Sequence, residues 1–305
     1  MEPIEEALLE QIADLHGVPE GAYNIRRNGE SAGRRSTANI EIIPKTDKPG
    51  IDIHIRPGTR NESVHIPVLL TATGMSELVY NDFFVGEGAD VTIVAGCGIH
   101  NDGGSKSEHS GVHTFYIGKN ARVRYVEKHY GEGDGRGERI MNPKTVAYLD
   151  EGAYCCMEMT QIRGIDSTHR STRCVCKANS ELVMTEKLLT HGTQNAESNM
   201  EVLLNGDGAR AQLTSRSVAQ QQSRQVFYPR VEGNAPCFGH VRCDSIIMDA
   251  ARVRSIPEIA ANHVEAQLIH EAAIGKIAGD QILKLMTLGL TEAEAEQEIL
   301  NGFLK

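Results

Sequence analysis

The chain has 305 residues, 40% of them hydrophobic, with 30 glycines, no tryptophan and a formal net charge of −10. That supplies one large core with small appendages, and the acidic balance argues against nucleic-acid binding, which needs a positive face. No run of about 18 apolar residues occurs, so no membrane span is expected, and the acidic start MEPIEEALLEQI lacks the basic end and apolar centre of a secretion signal, so a cytoplasmic protein is expected.

In chain order, residues 4–15 read as a short amphipathic helix with Ile4, Leu8, Leu9, Ile12 and Leu15 on one stripe, stopped by Gly17. Residues 20–37 are polar and rich in Gly and Arg and read as a loop; Arg26, Arg27, Arg34 and Arg35 read as its solvated basic patch. From about residue 39 the texture becomes period two: Ile51, Ile53 and Ile55 alternate with Asp52, His54 and Arg56, a strand signature. Short strands broken by Gly, Asn and Asp continue to about residue 256.

A degenerate repeat runs through this stretch. VGEGADVTI, IGKNARVRY, LDEGAYCCM and CKANSELVM share a turn, a small residue and then an alternating strand, with looser copies at NGDGARAQL and IMDAARVRS. The small residues are Ala89, Ala121, Ala153, Ser180, Ala209 and Ala251, spaced 27 to 42 residues apart. A small side chain after each turn suits a tight inward corner, and stacked copies bury a continuous core, as in a β-solenoid. An antiparallel sandwich also has recurrent turns, but not this fixed small residue.

After Pro257, Val264, Ala266 and Leu268 suggest one last strand. Asp280 is a plausible helix N-cap, Ile282, Leu285 and Met286 have helical spacing, and Gly289 is a stop. Thr291 with Glu294 is a capping-box pattern for a second helix burying Ile299, Leu300 and Phe303. The expected division is an N-terminal helix and loop over 1–38, a solenoid over 39–271 and a helical unit over 272–305, serving as an end cap or a docking surface.

Three clusters bear on chemistry. Cys243 with His270 and Glu271 offers thiolate, imidazole and carboxylate, the ligand types iron and zinc accept, with His270 and Glu271 expected just after the last strand. Cys97, His100, His109 and His113 form a second, weaker metal candidate in a loop-rich stretch. Cys155, Cys156, Cys174 and Cys176 read as core packing. In a reducing compartment the seven cysteines are expected as thiols, and no CxxC pair suggests a zinc ribbon. GEGDGRGE at 131–138 reads as a mobile loop, and no GxSxG, Walker A or HExxH motif is present, so no enzyme is expected.

The stretch RCDSIIM, then IPEI, then VEAQLIHEAAIGKIAGDQILKLMTLGLTEAEAEQEILNGFL resembles the C-terminal region of the SufB/SufD family, scaffold components of SUF iron–sulfur cluster assembly. The resemblance rests on Cys243-Asp244-Ser245, Ile256-Pro257, His270-Glu271-Ala272, Gly275-Lys276-Ile277, Asp280-Gln281, Gly289-Leu290 and Gly302-Phe303, and leans towards SufB. It implies a right-handed parallel β-helix and C-terminal helices that dock a SufC-like ABC ATPase, which hydrolyses the ATP. It further implies pairing through the β-helix, as a homodimer or a SufB/SufD-type heterodimer, and a transient iron–sulfur cluster on His270, Glu271 and Cys243. Two departures stand out: the interval IIMDAARVRS lacks the further cysteine SufB-type chains usually carry between the CDS and the IP, and Ile269 replaces the acidic residue that often precedes the HE. The chain is also shorter at its N-terminus than longer members. A SufD-like structural partner that holds no cluster is therefore the alternative. A β-helix carbohydrate-active enzyme is the other rival, and predicts paired acids with aromatic sugar platforms.

Overall fold

The computed structural model describes residues 2–304. It is a two-sheet β-solenoid of about eight turns, with one helix at its N-terminal end and two at its C-terminus. Each turn contributes one strand to each sheet. In the first sheet the order is Glu30–Arg35, Ala22–Arg27, Arg60–Leu70, Asp90–His100, Arg122–Glu132, Tyr154–Arg163, Glu181–Thr190, Arg210–Ala219, Phe238–Ile247 and Gln267–Gly275. The second runs in the same direction from Ile40–Pro44 through Gly50–Ile55, Ser76–Val85, Ser107–Ile117, Lys144–Leu149, Ser167–Cys176, Asn195–Leu204 and Arg224–Gly233 to Arg252–Ser255. Pairing is parallel except in two N-terminal hairpins, Ala22–Arg27 with Glu30–Arg35 and Ile40–Pro44 with Gly50–Ile55. No helix among the described residues is long and apolar enough to cross a membrane.

The repeat marks the corners. Ala89, Ala121, Ala153, Ser180 and Ala209 are at most 1% exposed, and each backbone N–H closes a turn onto the carbonyl three residues earlier. The preceding residue has positive φ at Gly88, Asn120, Gly152, Asn179 and Gly208, a conformation that glycine and asparagine reach at least cost. The corners also stack closely: a Cβ at Gly206 would stand 2.0 Å from the Ala178 nitrogen one turn below.

Inward rows from both sheets fill the core. Ile53, Phe83, Phe115 and Tyr125 are fully buried, and Phe83 stacks on Phe115 at 4.4 Å. Residues 22–35 are a correction to the loop expected there. They form a hairpin whose outer strand is the sheet edge, with Arg34 Nε donating to the buried Asn24 Oδ1 and Arg35 to the Gly21 and Pro19 carbonyls. The Gly-rich 131–138 segment is tied down rather than free: Gly135 and Gly137 donate to the Asn101 and Gly103 carbonyls.

Helix α1 (Pro3–Ala13) lies on the outer face of the first sheet, burying Leu8, Leu9 and Ile12 against Leu69. Each of those side chains stabilises the contact by about 2 kcal/mol. Two glycines make the approach possible. A Cβ at Gly96 would lie 2.4 Å from the Ile12 carbonyl oxygen, and one at Gly98 would lie 3.0 Å from Leu8 Cδ2.

At the other end, α2 (Gly279–Met286) and α3 (Glu292–Leu304) form a hairpin. Ala278, not Asp280, is the N-cap of α2; Asp280 sits in its first turn, where a carboxylate still favours the helix dipole. The capping box of α3 is as expected: Thr291 N–H donates to Glu294 Oε2 at 2.8 Å, and Glu294 N–H to Thr291 Oγ1 at 3.3 Å.

Gly96→Val is expected to detach α1 while leaving the solenoid folded. Limited proteolysis would show cleavage within residues 3–13 at least about tenfold faster than in the parent, with an unchanged β-type circular dichroism spectrum.

Candidate functional site

The site at the C-terminal end is set by register. Strand Gln267–Gly275 pairs in parallel with Phe238–Ile247, opposing His270 to Val241 and Ala272 to Cys243. Gly239 lets the last strand close: a Cβ there would stand 2.7 Å from Leu268 Cδ2. Period-two alternation then turns Leu268 and His270 inward, on the same side as Val241 and Cys243. Cys243 Sγ and His270 Nε2 approach to 3.5 Å.

The same alternation sends Glu271 outward, which corrects the expected trio. Glu271 stands 3.6 Å from His240 Nε2 on the outer face, its side chain 60% exposed. His270 and Glu271 also lie inside the last strand, not after it. The sheet therefore separates a thiol–imidazole pair within from an imidazole–carboxylate pair without. Burial pushes the Cys243 thiol up, against a contact from Ser255 that lowers it, and burial with nearby His240 pulls His270 down. Both shifts favour a neutral thiol beside a neutral imidazole.

This end of the solenoid is open. Among the described residues Gln267–Gly275 pairs with Phe238–Ile247 alone, so its other edge carries backbone groups without a strand partner. Ile269 and Ile274 are 44% and 41% exposed beside it, and Leu283 and Leu288, on and just after α2, are 60% and 73% exposed.

The second cluster divides differently. Cys97, His109 and His113 are not in a loop; they lie on strands and face one internal cavity, while His100 faces the surface between Asp102 and Glu132. The cavity is also lined by Glu127 and His129. His129 is the cross-strand partner of Cys97 and lies 32 residues after it, the same interval that separates corners Ala89 and Ala121. Carried from the corners to the strand interiors, that interval would have found His129.

Around the cavity the polar groups are connected. His113 Nδ1 is 2.8 Å from the Tyr125 hydroxyl, which donates to Glu127 Oε1 at 3.0 Å. Arg170, 3% exposed, pairs with Glu127, and its Nε reaches Glu186 Oε1 at 3.4 Å. Ser198 and Ser215 also donate to Glu186. Burial pulls His113 down to about 4. Glu127 stays well below the usual carboxylate range because Arg170 and His129 outweigh its burial.

The third cluster is core, as expected for Cys155, Cys174 and Cys176; Cys156 alone points outward. An exposed aromatic row, His54, Phe84, Tyr116 and Tyr148, crosses the second sheet with ring centroids 4.7, 5.1 and 5.5 Å apart. Its rings stack on one another, so their faces are occupied and do not form the sugar platforms of a glycan enzyme.

A family model described as "SUF system FeS cluster assembly, SufBD core domain" matches residues 72–303. The chain belongs to the SufBD family. It is similar to the iron–sulfur cluster assembly SufBD family protein MJ0034 of Methanocaldococcus jannaschii, at 28% identity over 79% of this chain and 76% of the relative. A SufBD family protein of Methanothermobacter thermautotrophicus is 26% identical over 84% of this chain and 62% of its own length. PH0883 of Pyrococcus horikoshii is 26% identical over 97% and 84%. The match to the SufBD core takes in Cys97, His109, His113, Cys243, His270 and helix α2.

The core thiols make this SufBD chain sensitive to alkali. Burial raises Cys155 and Cys174 and pushes Cys176 up to about 12, whereas an unfolded thiol ionises near 9. Above pH 9 the folded state therefore binds more protons than the unfolded one, and stability falls as pH rises, by about 1.4 kcal/mol per thiol per pH unit until the folded values are reached. Urea midpoints at about pH 8 and about pH 10 are expected to differ less in a Cys155→Ala/Cys176→Ala variant than in the parent.

Proposed function

We propose that this SufBD protein is an assembly scaffold on which iron and sulfide are put together transiently at the open end of the solenoid. The supporting observation is the 3.5 Å approach of Cys243 Sγ to His270 Nε2 on the terminal turn. Thiolate and imidazole both bind iron, and the pair lies on the terminal turn of the solenoid beside its open edge strand. The cluster is cargo, so the residues act by holding it. Cys243 supplies a thiolate once iron displaces its proton, and His270 supplies a lone pair.

Two surfaces fit the partners of such a scaffold. The exposed apolar side chains around α2, with Leu283 and Leu288 foremost, suit a docking face for a SufC-like ABC ATPase, which supplies the ATP hydrolysis. The unpaired edge of Gln267–Gly275 suits strand pairing with a second scaffold chain, either another copy or a SufD-type partner. Pairing there would bring a second set of ligands to the two donors that one chain presents inward.

The outward turn of Glu271 favours a second reading, in which the chain is a SufD-like structural partner of the ATPase complex and does not itself hold the cluster. The two are separated by anaerobic purification with the co-expressed ATPase, measuring iron, acid-labile sulfide and visible absorption. Under the scaffold reading Cys243→Ala and His270→Ala each reduce bound iron and sulfide by about tenfold or more, while Glu271→Ala retains most of both and all three variants still carry the ATPase. A cluster indifferent to Cys243 and His270, or no cluster in the parent, leaves the structural-partner reading.

A further inference from the structure

Ser255 ends the short strand Arg252–Ser255 of the second sheet, across the core from Cys243. We propose that Ser255 is a positioning residue for cluster assembly, donating its hydroxyl proton to the Cys243 sulfur once that sulfur binds iron as a thiolate. The inference rests on the scaffold reading and adds to it a residue from the opposite sheet.

The first argument is register. Glu186, Ser215 and Cys243 are successive partners along one inward row of the first sheet. Ser198, Phe227 and Ser255 are successive partners along a row of the second. Glu186 and Ser198 are 12 residues apart, on the two sides of one corner, and Ser198 Oγ donates to Glu186 Oε1 at 2.8 Å. Cys243 and Ser255 are also 12 residues apart, on the two sides of the corner at Ala251. Parallel stacking therefore repeats the cross-core placement of the earlier pair two turns on, with a sulfur where the carboxylate stood.

The second argument is the state of the hydroxyl. Ser255 Oγ is buried, and as the side chains stand it closes no hydrogen bond. The other hydroxyls that register brings near Cys243 are spent: Ser215 donates to Glu186 Oε2 at 3.3 Å, and the Ser217 and Ser245 hydroxyls pair at 2.8 Å. Ser255 already acts on Cys243, opposing the effect of burial on its thiol. A neutral thiol is a weak acceptor, which leaves the contact loose, whereas a thiolate is a strong one and the hydroxyl hydrogen rotates to meet it. A buried donor without an acceptor is costly, so the site gains when iron turns the thiol into a thiolate.

The third argument is the division of roles around the sulfur. His270 Nε2 approaches Cys243 Sγ at 3.5 Å from the neighbouring strand of the same sheet. With its lone pair on iron, His270 has no proton at Nε2 to give the sulfur, and Ser255 supplies the donor from the opposite sheet. A hydrogen bond to a ligating sulfur withdraws charge from it and favours the reduced cluster.

The test uses the full chain purified anaerobically with the co-expressed ATPase, as parent, Ser255→Ala, Ser255→Thr and Cys243→Ala. Ser255→Ala is expected to keep iron and acid-labile sulfide but to shift the sulfur-to-iron absorption to longer wavelength. At a fixed potential its reduced-to-oxidised ratio falls by about tenfold. Ser255→Thr, which keeps the hydroxyl, restores both signatures; a serine that only packed would move neither. Parent absorption and ratio in Ser255→Ala, with the cluster lost in Cys243→Ala, overturn this inference and leave the scaffold reading standing. A parent without cluster, or a cluster indifferent to Cys243→Ala, overturns both. If Ser255→Ala holds no cluster, Ser255→Thr decides: the parent signatures there support the hydroxyl's role, and their loss refutes it.

Discussion

Everything in this molecule depends on the corner. A solenoid turn closes only if the backbone enters a left-handed conformation and then presents almost no side chain to the turn beneath, because adjacent corners lie in van der Waals contact. Gly88 followed by Ala89 and Asn179 followed by Ser180 meet both conditions. The stacked corners then fix parallel register from turn to turn, and register decides which side chains meet inside. Ala95, Glu127, Met159, Glu186, Ser215, Cys243 and Ala272 are successive partners across the first sheet, so one inward row carries both the ionised Glu127 and the thiol at the open end.

That row explains how a solenoid with so many buried polar groups is held together. A carboxylate in the core is tolerated only when a cation and hydrogen-bond donors satisfy it. Arg170 reaches Glu127 and Glu186 from the opposite sheet, and Ser198 and Ser215 complete Glu186. Burial nevertheless raises Glu186, outweighing Arg170 and the two serine hydroxyls that lower it. Removing Arg170 would leave two carboxylates without their shared cation, a larger loss than removing either acid. The apolar rows beside this one, from Ile93 and Tyr125 through Met157 and Met184 to Leu213 and Val241, carry the hydrophobic stabilisation that such a polar core lacks.

What could be read from the sequence and what could not divides along the same line. The corners were legible because a turn and its small residue lie within five residues of each other. The capping box at Thr291 and Glu294 was legible for the same reason. The hairpin over 22–35 was missed because its outer strand is exposed and polar and its inner strand carries no apolar alternation. The separation of His270 from Glu271 follows from alternation once both are placed in a strand; setting the strand a few residues too early hid it. Glu77, Glu127, His129 and Arg170 were missed because their meeting depends on pairing across two sheets, and residues 41 and 43 positions apart in sequence give no local sign of contact.

Cys97 and Cys243 are equally buried, each 2% exposed, and differ in what stacks beyond them. At Cys243 and His270 no described strand pairs with the outer edge of the last strand, so its backbone groups are open to pairing. Around Cys97, His109 and His113 turns continue on both sides and α1 lies over the adjoining sheet, so these side chains are held between stacked turns. Cover at each position is thus set by how many turns stack beyond it.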